Sequence, residues 1–441
     1  MTQPQTISHS MGVWCAVLAV VLAASAGLPA LAADDDVAAF YKGKKITWLS
    51  GFNRGGYART AEIVSNHMHR HIPGKPGIDN EAITTNGGID MANHLYTKSK
   101  RDGTVIGIVG RDMPTHPLIG HRKTLYDATK MIFIGNVNGG DTHMIAWHKS
   151  GLASLKDVKK KGMIRVGTSR GNSETFAVVA HNMLTKAGLL KGAKIVVIAE
   201  YPAMLDVVLA MKRGEIDGMA GIHLGRYAKG SSFDRSNPGD VAAGRVKAIL
   251  RYGDLGDMVS DTVDKQALEL IFSRQKTSRM YVLPPGVPKA RVAALRRAFM
   301  TTMKDPDFIK AAKRGRVKIE PMSGAQLQAR IAKLYAFPKA AVERAQWAIK
   351  HRPTLVKAKA KKPFKATITG KKRMRRGMRR LMLTRADGSK ATAVLHPRRS
   401  RVTIGGKRIS GRKARRVLKN GISCWIAWSG PGGTAMRIDC P

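Results

Sequence analysis

Three glycine-bearing segments are placed where the backbone itself could do chemistry: Gly51-Phe52-Asn53-Arg54-Gly55-Gly56-Tyr57, Thr84-Thr85-Asn86-Gly87-Gly88 and Gly167-Thr168-Ser169-Arg170-Gly171-Asn172-Ser173. Each follows a run that reads as a strand and opens a run that reads as a helix. At such a junction the first N–H groups of the helix have no intrahelical partner and share the positive end of its dipole, so they suit an anion. A single such loop is usually a tight turn. Three of them predict a cleft in which Asn53, Arg54, Gly55, Gly56, Tyr57, Thr85, Asn86, Gly87 and Gly88 take one end of an anion, while Thr168, Ser169, Gly171, Asn172 and Ser173 take the other. Arg54 or Arg59 would add a charge-assisted bond. Asp217, at the end of Arg213-Gly214-Glu215-Ile216-Asp217, is expected at the edge of the second site, with capping of the Gly218 turn as its other role. Arg111-Asp112 is expected near the mouth, as ligand contacts or as a surface ion pair.

Other chemistries are weaker. Gly167-Thr168-Ser169-Arg170-Gly171 spells the G-x-S-x-G elbow of hydrolases in the strand-to-helix context that chemistry needs. His181, His223 and His351, however, stand in no recognisable triad order with Asp206 and Asp217, and no lipase-type glycine run precedes the elbow. The expectation is a protein that is not an enzyme. His67, His69 and His71 alternate at a helix end, where a spacing of two puts them on different faces, so no metal site and no cofactor are expected.

The elements that must position these loops alternate in the α/β manner. Strands are predicted at residues 46–49, 104–109, 131–134, 164–167, 194–198 and 246–250, and helices at 58–71, 91–99, 173–187, 202–212, 288–303, 306–314 and 324–335. Asp305-Pro306-Asp307 is a capping carboxylate before a first-turn proline. With 441 residues, 43% of them hydrophobic, the chain can bury more than one core.

At the start, Gly12 to Gly27 is an unbroken run of apolar and small residues followed by Pro29-Ala30-Leu31-Ala32-Ala33 and then Asp34-Asp35-Asp36. This predicts a secretion leader over residues 1–32, cut after Ala32, and therefore a periplasmic protein. Trp14 before Cys15 argues against a lipid anchor. The cut leaves Cys424 and Cys440, which flank a turn at Ser429-Gly430-Pro431-Gly432-Gly433 and are expected to lie opposite one another in a hairpin as a disulfide.

Past Pro353 the texture changes. A basic linker at 353–363 leads into short alternating runs at 364–369, 381–384, 391–395 and 402–404, which predict a small β-rich cationic module over 364–441. The formal net charge is +47, and residues 353–441 hold 25 Lys and Arg against 2 Asp and Glu. The run from Lys371 to Arg380 would bind an anionic envelope polymer or lipid surface, or else be a solvated charge run; export excludes nucleic acid as a physiological partner.

A resemblance accompanies these readings. Phe40-Tyr41-Lys42-Gly43-Lys44-Lys45-Ile46, His71-Ile72-Pro73-Gly74, Asp102-Gly103-Thr104-Val105-Ile106-Gly107, Met211-Lys212-Arg213-Gly214-Glu215-Ile216-Asp217-Gly218, Leu283-Pro284-Pro285-Gly286-Val287-Pro288 and Lys304-Asp305-Pro306-Asp307-Phe308 resemble the substrate-binding receptors of tripartite tricarboxylate transporters, the Bug family, from about Phe40 to Ala345. The resemblance implies an α/β, two-lobed periplasmic binding protein of type II-like fold, holding a small carboxylate ligand largely by backbone amides and delivering it to membrane transporter subunits. Lobe one would be 33–144 with 281–352 and lobe two 145–280. The site departs from the family: its usual prolines are Asn53 and Arg54, and Ala58 replaces an acid. A cell-envelope interaction protein whose receptor-like body no longer binds carboxylates is the alternative.

Overall fold

The structure is a computed structural model that describes residues 28–53, 55–120, 122–140, 142–169, 172–202, 204–223, 239–240, 242–353, 355–357, 362–374, 377–430 and 432–441. Most of the expected leader, Arg54 and Gly171 lie outside the described residues. Among those described, no helix is long and apolar enough to cross a membrane. The chain forms two compact units: one runs to Gly139 and adds Ser273–Phe337, and the other joins Gly140–Phe272 to Pro338–Pro441.

The first unit is a six-stranded sheet in the order Met322–Ser323, Ile132–Asn138, Ser278–Leu283, Val105–Val109, Lys45–Ser50, Gly77–Ala82. Lys45–Ser50 runs parallel to both of its neighbours, and Ser278–Leu283 runs antiparallel to Val105–Val109 and Ile132–Asn138. Its core is dense in large side chains because helix Gly55–Met68 and helix Lys289–Thr302 bring Val64, Met68, Leu295 and Phe299 onto Trp48, Ile106 and Tyr281. Asp305 caps helix Pro306–Gly315 as expected, accepting from the N–H groups of Asp307 and Phe308.

In the second unit the order is Val356–Lys357, Lys194–Tyr201, Met163–Ser169, Gly218–His223, Thr142–Trp147, Val246–Arg251. Met163–Ser169 is parallel to both neighbours, and Thr142–Trp147 returns antiparallel between two others. Apart from a different two-residue edge strand in each, the two sheets share one strand order, with a returning strand in the fourth place. Besides the two-residue edge strands, four strands of these two sheets escaped the sequence reading, at Gly77–Ala82, Thr142–Trp147, Gly218–His223 and Ser278–Leu283. Gly77–Ala82 is a half-exposed edge with polar residues on both faces, so no alternation marks it.

The unit boundaries differ from the expected 144, 280 and 352. Ser278–Leu283 is hydrogen-bonded inside the first sheet, so the return begins before Tyr281. Helix Lys339–Lys350 belongs to the second unit: Asn182 Nδ2 donates to the carbonyls of Ala348 and His351 at 2.9 and 2.8 Å, and Arg344 pairs with buried Asp264. The expected linker is partly a strand, because Val356–Lys357 pairs in parallel with Ile198 and Ala199.

The C-terminal residues form a seven-stranded sheet in the order Lys390–Leu395, Arg379–Arg385, Phe364–Arg373, Ser423–Trp428, Ala435–Cys440, Arg401–Ile404, Lys407–Ser410. One face carries a core of its own that includes Ile368, Leu381, Leu383, Ile426 and Ile438. Cys424 and Cys440 are joined by a disulfide across the Ser423–Trp428 and Ala435–Cys440 pair, as the hairpin reading predicts.

Candidate functional site

Parallel strands all end at one edge of a sheet, and the loops leaving that edge are where open α/β sheets take ligands. In the first unit this edge is closed by Ser50, Ala82, Val109, Ser278 and Asn138, which stand within two residues of register across five strands. The turn after Ser50 is held locally: the Ser50 hydroxyl accepts from Phe52 N–H and donates to Phe52 C=O. Phe52 then stacks on Tyr57 with ring centroids 4.3 Å apart.

The structure brings the first two predicted loops of this unit together. A Cβ on Gly51 would lie 2.9 Å from the Gly88 Cα, so the two loops touch backbone to backbone, and Gly88 takes the left-handed φ of +91° at the entrance to helix Ile89–Thr97. Gly55 also has a left-handed φ, +83°, with open space around it. Gly56 is constrained differently: a Cβ there would meet the Arg279 Nη2 at 3.0 Å. Asn53 and Thr85 are exposed, and Asn86 and Gly87 lie in the short 3-10 turn Thr85–Gly88.

Arg279 is the residue that sequence reasoning missed. It is a non-glycine residue in the left-handed region, φ +62°, a conformation that costs about 1–2 kcal/mol. Its Nη1 donates to Asn138 Oδ1 at 2.8 Å, and its guanidinium lies 5.2 Å from the Tyr57 ring centroid. Asn138 is itself buried and donates to Lys318 C=O, while the neighbouring Asn136, wholly buried, accepts from Ser278 N–H at 2.6 Å. The Tyr57 hydroxyl accepts from Arg111 N–H at 3.2 Å and shares a 3.3 Å hydrogen bond with the Ser278 hydroxyl. Arg279 thus lies against Gly56, and the hydroxyl of the next residue, Tyr57, joins Arg111 and Ser278. A signal was present: two asparagines in the otherwise apolar strand Ile132–Asn138 require a buried polar network.

Beside it, Asp112 pairs with Arg274 at 2.9 Å, so of the Arg111-Asp112 pair the arginine meets the Tyr57 hydroxyl and the acid is tied to another cation.

In the second unit Ser169, Tyr201 and His223 end the corresponding strands at one edge, and helix Asn172–Lys186 begins beyond it. Thr168 is completely buried, and its hydroxyl finds no hydrogen-bond partner among the described residues. Asn172 and Ser173 open the helix. Asp217 does not join them. It precedes strand Gly218–His223 at the opposite edge, beside Arg165, four residues or about 13 Å of strand from Ser169. Its carboxylate is 3% exposed and takes bonds from Arg165 N–H, from the Arg165 guanidinium and from Lys161. Burial alone would raise its pKa, but Arg165 and Lys161 outweigh burial and hold it below the usual carboxylate range. It is a structural ion pair and leaves the candidate site. Among the described residues no cluster of three His, Cys, Asp or Glu could hold a metal.

Comparison with known proteins places this arrangement. No family model matches the chain. No curated protein matches it either. Among solved structures, a TctC solute-binding protein from Polaromonas aligns over 69% of this chain and 99% of its own, at 15% identity and a TM-score of 0.50. The chain carries a solute-binding-protein fold. Lower similarity is found to MatC from Rhodopseudomonas palustris with bound malate (13% identity, 70% and 99% covered, TM-score 0.42) and to the periplasmic binding protein BugD (17% identity, 70% and 98% covered, TM-score 0.41). The solute-binding fold accounts for the shared strand order of the two α/β sheets; the C-terminal seven-stranded sheet is an addition to it.

Proposed function

We propose that this protein is an extracytoplasmic solute-binding receptor that captures a small carboxylate and hands it to a membrane transporter, and that it binds rather than transforms its ligand. The observation that carries the reading is the edge of the first sheet, where Arg279 lies against Gly56 and the Tyr57 ring, and the Tyr57 hydroxyl accepts from Arg111 N–H. A carboxylate matches that set: a planar guanidinium offers two parallel donors to its two oxygens, and backbone N–H groups at a helix start add to them. In the second unit, the corresponding edge carries Thr168, whose buried hydroxyl has no hydrogen-bond partner among the described residues, with Ser169, Asn172 and Ser173 near it in the chain. Membership of the Bug family is supported by the motifs from Phe40 to Phe308 together with the fold. The periplasmic address is supported by the leader expected at residues 1–32.

The test is isothermal titration of the mature protein against a panel of di- and tricarboxylates. At least one should bind, and Arg279→Ala should weaken it by about 30- to 160-fold, the loss of one charge-assisted pair of about 2–3 kcal/mol. Carboxylate binding that is unchanged in Arg279→Ala and in Gly56→Val would show that this edge is not the site. No binding by any carboxylate would overturn the receptor reading.

A further inference from the structure

The C-terminal sheet has an inward face packed as a core and an outward face that is exposed over the strands carrying Lys365, Trp425, Arg437, Arg401 and Arg408. Cross-strand registers define the latter. Trp425 stands opposite Lys365 on one side and Asp439 on the other; one step along, Arg437 is flanked by Arg401; and Arg408, on the edge strand, is opposite Thr403 beside Asp439. Side chains on neighbouring strands in register share a face. Trp425 is 54% exposed, the largest value among the exposed large hydrophobics of this sheet, and Lys365, Arg401, Arg408 and Arg437 are all exposed. Asp439 is the acid within this patch, and Arg437 neutralises it at 2.6 Å.

An indole left half in water amid cations suits a boundary where one part of the ring meets apolar material and the other stays wet. Two partners have that chemistry, a single-stranded polyanion with stacking bases and the headgroup layer of an anionic membrane. A strand of bases needs successive aromatic platforms along a groove. Here one tryptophan stands on the patch, and its cations are spread sideways over four strands, a span of about 19 Å at about 4.8 Å per strand. That distribution fits a two-dimensional array of phosphates.

We propose that this outward face docks on an anionic phospholipid bilayer, with Trp425 entering the headgroup region and Lys365, Arg401, Arg408 and Arg437 pairing with lipid phosphates. The sheet is not a loose tether for such a contact. Buried Asp206, in helix Met204–Lys212 of the second α/β sheet, accepts from Ser429 Oγ at 2.5 Å, Thr434 N–H at 2.7 Å and Thr434 Oγ at 2.9 Å, and Val356–Lys357 is hydrogen-bonded into that same sheet. Membrane docking therefore holds the second α/β unit itself against the bilayer. The inference is independent of the ligand reading.

The experiment is vesicle co-sedimentation of the mature full chain, using phosphatidylglycerol–phosphatidylcholine vesicles and pure phosphatidylcholine vesicles. Binding is expected to the anionic vesicles only, and to weaken as salt is raised, since exposed charges are screened. At about 1 kcal/mol per cation, the triple variant Lys365→Ser, Arg401→Ser, Arg437→Ser should lose partition on the order of a hundredfold. Trp425→Ser should weaken partition on its own. A control triple, Lys310→Ser, Lys313→Ser, Arg314→Ser, removes three exposed cations from the first unit and should lose no more than a few-fold. Circular dichroism and the absence of free thiols on alkylation verify that each variant is folded. Equal losses in the two triples would mean that binding follows net charge alone, and would overturn the proposal. So would Trp425-dependent capture of single-stranded DNA or an acidic polysaccharide by a protein that ignores anionic vesicles.

Discussion

Replacing Asp206 by alanine should loosen the C-terminal sheet from the second α/β sheet without unfolding either. Asp206 is 1% exposed and accepts three hydrogen bonds, two from Thr434 and one from Ser429, while the turn that supplies them is packed so closely that a Cβ on Gly433 would lie 3.0 Å from its Oδ1. A hydrogen bond to a charged acceptor contributes about 1.5–3 kcal/mol, and a buried donor left without a partner costs about 1–3 kcal/mol. The two hydroxyls can rotate to other acceptors, whereas the Thr434 N–H cannot. The net loss should therefore be near 3 kcal/mol rather than three times that. For a unit of this size, about 3 kcal/mol lowers the melting temperature by roughly 6–12 °C. Differential scanning calorimetry should show the transition of the second unit falling by that amount and that of the first unit unmoved. Asp206→Asn keeps an acceptor and should fall between. If Asp206→Ala melts within 2 °C of the parent protein, the clasp contributes nothing and the sheet is held by other contacts.

Three further outcomes follow from the same contacts. Gly55→Ala, which forces a Cβ onto a φ of +83° in otherwise open space, should cost about 1–2 kcal/mol by chemical denaturation but spare carboxylate affinity, whereas Gly56→Val should spare stability and weaken binding by displacing Arg279. Cys424→Ser with Cys440→Ser opens a loop of 16 residues and should destabilise the C-terminal sheet by about 3 kcal/mol, read as an earlier loss of the tryptophan fluorescence of Trp425 and Trp428. The pKa of Asp217 is held below the usual carboxylate range, so its stabilisation is complete above that range and is lost as pH falls through the depressed value; the stability of the second unit should decline below about pH 4, and Asp217→Asn should flatten that decline.

Much of this protein is readable from local sequence. The alternation of apolar strands with helical runs is a matter of side-chain period, the Asp305 cap lies within four residues, and the cysteine pair follows from equal spacing about one turn. Glycine loops at strand ends were likewise legible, because the demand for a left-handed φ at Gly55 and Gly88 is a property of one residue and its neighbours. What the tertiary structure decided involves residues far apart in the chain. Arg279 reaches Gly56 and Asn138 only because the returning strand Ser278–Leu283 is inserted between Val105–Val109 and Ile132–Asn138. Asp217, which lies within a motif that resembles the family, stands at the opposite end of its strand from the expected one; a strand's direction in a sheet, set by pairing partners and not by its own residues, decides which end meets the ligand edge. The same holds for Asp206, an ordinary helix residue in sequence that becomes an anchor once a turn 223 residues later closes over it. Local pattern determines which elements form, and long-range pairing determines which of their ends meet.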